Sequence, residues 1–337
     1  VRLLLFLPIA SIALLVGCID LFSSEQATLE KYQQRLANVL DAKAIEITPK
    51  AAITMPPRRE LFQPLPRLSL GLLESFQLRQ CGLFSLLANK NSQLGKVQDA
   101  FHDLDYQTKL LKTLNHCLTN FDLSRDERTK LEHLYAQKWK HFHAHLDNLL
   151  LTSHAMQKQL TASDWLSVDS KNQVAQVVEA LSLLIDMYAV PNKATSRLPN
   201  VSVVQYQEVI EKSRAIGRLY YSLKNTSLWL TQITELLESN QNKVICGKNR
   251  DTTRFRYLNN VFQTIYVDEV QPYLAYLDST YQDLSKATQL VEERMSAQDQ
   301  HYGLIEVHST FRQATLEHVR FWQGLFKRCG VSITPTL

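Results

Sequence analysis

The residues of this chain best suited to chemistry are its histidines and cysteines. In Lys140-His141-Phe142-His143-Ala144-His145, His141 and His145 stand four apart, a helical spacing that can present two imidazoles to zinc or copper from one face. No third ligand follows at comparable spacing, and His143 falls on the opposite side. The H-E-x-x-H pattern that would set a general base beside such a pair is missing. His145 also lies on an apolar seam with Phe142, so packing accounts for it. The pair is kept as a weak metal candidate, and no bound metal or cofactor is expected. Gly95-Lys96 lacks the earlier glycine and the following Ser or Thr of a phosphate loop. No serine sits in a G-x-S-x-G elbow. Acidic neighbours such as Asp103 and Asp105, or Asp126 and Glu127, read as solvated charges or caps, and no catalytic residue is assigned.

The cysteines divide into one and four. Arg2 precedes an apolar run from Leu3 to Val16, too short for the roughly 20 residues of a spanning helix but suited to a signal-peptide core. It ends in Leu15-Val16-Gly17-Cys18, which resembles the lipobox of lipoprotein precursors: small residues enter the cleavage site, and the thiol accepts the lipid. Residues 1–17 are therefore expected to be a signal peptide and Cys18 the lipidated terminus. Sorting signals of such proteins place an aspartate directly after the cysteine for inner-membrane retention. This chain has Ile19 there, so the expected address is the outer membrane, facing the periplasm.

Cys81, Cys117, Cys246 and Cys329 form an even set in what would be an oxidising compartment, where disulfides persist. Three pairings are possible; spacing favours Cys81 with Cys117 and Cys246 with Cys329. A zinc site is the alternative, although no C-x-x-C pair is present.

The elements that must position these residues read as helices. Glycine contributes 9 of 337 residues, about 3% against a usual value of roughly 7%. A chain so poor in it has few tight turns. The formal charge is +4, with bases and acids interspersed, so no stripe for nucleic acid is present. A helix is expected from Ser23 to Leu40, followed by a linker with Pro49, Pro56, Pro57, Pro64 and Pro66 that stays extended or wraps the body. A stripe from Leu72 to Leu94 predicts a helix closing at Gly95, with Asn91 and Ser92 satisfying that turn, and a second helix over 97–118. Ser124 with Glu127, and Ser170 with Gln173, suggest capping boxes. Later helices follow the stripes Val209 to Leu237, Leu258 to Val291 with a kink at Pro272, and Leu304 to Cys329. Aromatic residues from Tyr220 to Tyr281 crowd this half; core packing explains most, and a groove is the alternative.

The expected fold is all-α, an elongated helical bundle of two packed helical halves with an N-terminal lipid tether. The expected segments are 1–17 (signal peptide), 18–66 (lipidated Cys, short helix and Pro-rich linker), 67–189 (first half) and 190–337 (second half), the alternative being that the two halves form one continuous domain.

Three blocks carry a family resemblance. They are Arg79-Gln80-Cys81-Gly82-Leu83 with Asn91-Ser92-Gln93-Leu94-Gly95-Lys96-Val97; Cys246 with Asn260-Val261-Phe262, Tyr266 and Gln271-Pro272-Tyr273-Leu274; and Trp322 through Lys327-Arg328-Cys329-Gly330. They resemble a family of Gram-negative lipoproteins defined by a domain of unknown function. The resemblance implies an envelope lipoprotein with paired cysteines and carries over no catalytic residue. The expected role is a non-enzymatic binding or scaffolding body whose partners are the membrane, through the lipid, and another envelope protein. The alternative is a lipid- or peptidoglycan-related carrier or enzyme using a groove in the bundle.

Overall fold

The computed structural model describes residues 24–51, 53–66, 78–92, 99–247 and 250–331. Among them there is no strand, and the long elements are α-helices, as the glycine-poor sequence implies. Cys18 and Gly95 lie outside the described residues.

Helix α1 (Ser24–Val39) buries Leu29, Tyr32 and Leu36, spaced three and four apart. The proline-rich stretch after it wraps the body. Ile47, Met55 and Leu61 enter the core, and a short helix α2 spans Arg58–Leu61. With no sheet neighbour, backbone groups of this stretch take side-chain amides as partners: Lys50 N–H donates to Asn225 Oδ1 at 2.7 Å and Gln63 N–H to Asn148 Oδ1 at 2.8 Å.

The helix expected through Leu94 is interrupted and shorter. A 3₁₀ turn (Arg79–Cys81) ends at Gly82, whose φ of 82° is left-handed, and α3 begins afresh at Leu83–Asn91. Ser92 closes α3 by donating its hydroxyl to the Asn89 carbonyl at 2.7 Å, so the stop precedes Gly95. Helix α4 (Ala100–Asn120) is capped by Asp99, and α5 (Arg125–Thr152) by the reciprocal Ser124–Glu127 box. The second expected box fails. Ser170 makes no capping bond to α7 (Lys171–Tyr188), and Ser167 instead caps the 3₁₀ turn before it.

Between them α6 spans His154–Leu160. The stripe from Val209 is broken at Arg214 (φ 51°) into α8 (Gln207–Ser213) and α9 (Ala215–Ser239). At Gly217 on α9, a Cβ would lie 2.7 Å from the backbone nitrogen of Ala162, so only glycine admits this close crossing.

Helix α10 (Thr253–Val261) runs into a π-helical stretch, Phe262–Val270, and then α11 (Gln271–Ser296). Pro272 explains the widening. A proline ring clashes with the carbonyl four residues back, and the wider π turn moves that carbonyl aside while Gln271 N–H bonds five residues back to Tyr266. The expected kink is thus spread over nine residues as a change of helical pitch. Helix α12 (Leu304–Cys329) ends on left-handed Gly330.

One contiguous apolar cluster joins α1 to α12. In it α12 packs mainly along α9, α4 along α5, and α7 against α8 and α11.

Candidate functional site

The cysteines come together as spacing suggested. Cys81 and Cys117 are bonded with Cα atoms 5.3 Å apart, and Cys246 and Cys329 with Cα atoms 5.0 Å apart. The first bond is buried and ties the 3₁₀ turn before α3 to the end of α4. The second is half-buried and fastens the loop after α9 to the last residue of α12.

His145 is engaged inside the protein. Its Nδ1 lies 2.7 Å from Asp103 Oδ2, while Lys90 Nζ lies 3.1 Å from Asp103 Oδ1. Burial pushes the Asp103 carboxyl up. The hydrogen bond and charge of His145, with the charge of Lys90, outweigh burial and hold it well below the usual carboxylate range. Lys138 is buried on the same seam, and burial lowers its ammonium. His143 stacks on Tyr188 with ring centroids 5.8 Å apart. The polar entries in the α5 seam therefore serve a charge cluster that joins α3, α4 and α5.

A groove of about 640 Å³ lies between α11 and α12. Because α12 follows α9, it meets α11 only in part and leaves a trough along their shared side. Phe262 and Tyr266 of the π stretch, with Phe311, Val319 and Trp322 of α12, supply its apolar lining. These rings are locked together: Phe262 sits 4.7 Å from Trp322 and 5.0 Å from Phe326. The lips are polar, with Gln271 and Asp278 on α11 and Arg312, Gln313 and Gln323 on α12. His308 fixes Asp278 through Nε2 at 2.7 Å and stacks on Tyr281 at 3.6 Å. Leu316 at the lip is 43% exposed, unusual for a leucine in the middle of a long packed helix.

Beneath the floor runs a buried hydrogen-bonded chain. Trp322 Nε1–H donates to Tyr32 Oη at 3.0 Å, and that hydroxyl donates to His318 Nε2 at 2.9 Å. His318 Nδ1–H donates to Thr234 Oγ1 at 2.9 Å, and Thr234 donates to the Leu230 carbonyl at 2.7 Å. This accounting requires neutral His318 protonated on Nδ1. Burial lowers its pKa to about 3. The chain ties α1, α9 and α12 together and makes the floor rigid.

Most of the aromatic residues flagged in the sequence are core, including Tyr220, Trp229, Phe255 and Tyr273. Phe262 and Tyr266 are the ones that also line the trough. Sequence reasoning missed Leu316 and Val319. Their signal was an apolar arc on α12 extending past the Leu304–Leu325 stripe, wider than one packed neighbour requires.

The model of a family described as proteins of unknown function, DUF3080, matches residues 29–333. The chain belongs to this family. Its match takes in both disulfides, the π stretch and the groove, so these are parts of the family's own region. No curated protein and no solved structure matches the chain. No helix among the described residues is long and apolar enough to cross a membrane.

Proposed function

We propose that this DUF3080 member is a lipid-anchored protein of the bacterial envelope, tethered through Cys18, whose helical body binds another envelope component in the α11–α12 groove. The Leu15-Val16-Gly17-Cys18 motif supports the tether, and Ile19 supports the outer-membrane address. The groove carries the binding role. It combines an immobilised aromatic floor, a polar rim and an exposed leucine, the composition of a recognition surface. From Ser309 to Gln323 it follows about four helical turns, roughly 21 Å, which suits one apolar face of a partner helix. A binding body is favoured over a lipid carrier or an enzyme because the cavity is an open trough above a filled core rather than a tunnel through it.

The test is site-specific photocrosslinking in intact cells, with the probe at Gln313 on the lip or at Glu208 on α8, outside the groove lining. The expected result is a discrete adduct from Gln313 that Leu316→Arg abolishes. An equal adduct from Glu208, or none from Gln313, would overturn the binding role. In parallel, Cys18→Ser should lose a metabolic fatty-acid label; undiminished label would rule out the tether.

A further inference from the structure

The loop 297–303 that joins α11 to α12 is shaped by two left-handed residues, Asp299 (φ 57°) and Gly303 (φ 79°). It brings three ligand-bearing side chains to one point. Glu292, near the end of α11, is buried, and its carboxylate accepts Tyr302 N–H at 3.1 Å and Leu304 N–H at 3.0 Å. It thereby caps α12, whose preceding residue Gly303 has no side chain to do so. His301 lies beside it, with Nδ1 3.3 Å from Glu292 Oε2 and Nε2 3.5 Å from Glu306 Oε2. Among the described residues His301 is the only ion-pair partner of Glu292.

Capping explains Glu292. It does not explain why His301 and Glu306 gather there without closing into hydrogen bonds, since charge-assisted N–H···O pairs contract to about 2.7–2.9 Å. Two ligand atoms on one tetrahedral ion with bonds of about 2.0–2.1 Å stand roughly 3.3–3.4 Å apart, close to the 3.3 Å between His301 Nδ1 and Glu292 Oε2; Glu306 faces the other ring nitrogen and must swing to reach the same ion. One ligand atom from each of the three residues lies within 4.8 Å of the others. His301 and Glu306 are exposed, so modest rotations bring one ring nitrogen and both carboxylates onto a common centre.

We infer that Glu292, His301 and Glu306 form a binding site for a divalent transition cation, with zinc the best match to one imidazole and two carboxylates. Each Glu292 oxygen keeps a lone pair after accepting one backbone N–H, and those N–H groups orient the carboxylate as outer-shell partners do in metal sites. Two carboxylates supply a charge of −2. That outweighs the partial charge of about +0.5 at the start of α12, which opposes a cation there. Three protein ligands leave a fourth position to water, and the ion clips together the two helices that wall the groove.

The test uses untagged, chelator-stripped protein with its disulfides intact, titrated with zinc chloride by calorimetry. One saturable equivalent is expected. His301→Ala and Glu306→Gln should each weaken it at least about ten-fold while melting like the parent in chelator. His141→Ala, in the other histidine cluster, should leave it unchanged. If His301→Ala melts differently in chelator, Glu306→Gln alone decides. No one-to-one binding, or unchanged binding in the variant that decides, would overturn the site.

Discussion

His318 makes stability depend on pH in a way that can be calculated. Its folded-state pKa lies at about 3, lowered by burial from an ordinary 6.5. Above pH 6.5 the ring is neutral in both folded and unfolded chains and contributes no pH dependence. As pH falls below 6.5, the unfolded chain takes up a proton that the folded chain refuses, so stability drops. At pH 5 the loss is about 2 kcal/mol, and by pH 3 it reaches about 4 kcal/mol. The structural cause is that Nε2 already accepts from Tyr32, with the Trp322 N–H 3.1 Å away, so a proton there meets two donors in a dry site. His318→Gln removes the titrating group and costs about 2–3 kcal/mol at pH 7 through lost packing and hydrogen bonding. Urea denaturation of parent, His318→Gln and the exposed control His133→Gln at pH 7.5 and pH 5 provides the assay. The parent and His133→Gln should lose about 2 kcal/mol more than His318→Gln between these conditions. Equal losses in all three would refute the assignment of His318 as a neutral, buried imidazole.

The other predictions concern covalent and steric constraints. A non-reducing peptide map should recover Cys81 with Cys117 and Cys246 with Cys329, and replacing Cys81 and Cys117 together by Ala should cost about 4 kcal/mol on the chain-entropy model, read from denaturation midpoints. Gly217→Ala should destabilise by about 2 kcal/mol or more, because the new Cβ meets rigid backbone at Ala162; a melting temperature equal to the parent's would contradict that crossing. Ser124→Ala should cost about 1 kcal/mol by thermal melting through loss of the α5 cap, while Ser170→Ala should be near neutral because Ser170 makes no capping bond.

What the sequence by itself determined is local. Helical stripes such as Leu29, Tyr32 and Leu36 and the Ser124–Glu127 box are set by residues within a turn or two of each other, so spacing reveals them. The disulfide partners were legible because an even set of cysteines at those separations allows few pairings. The Ser170 box misled because a nearby Ser167 competes for the same turn, and the Leu72–Leu94 stripe misled because Gly82 adopts a left-handed φ that periodicity does not register. Only the tertiary structure decided that Leu316 borders a trough, since that depends on α12 following α9 and diverging from α11. Likewise, Tyr32 reaches His318 across 286 residues, and Asp103 reaches His145 across 42. Glu292, His301 and Glu306 are near in sequence but meet only because Asp299 and Gly303 turn the chain back on itself. Periodicity reports which face of a helix is apolar. Which neighbour covers that face, and which stays open, is settled by packing among segments far apart in the chain.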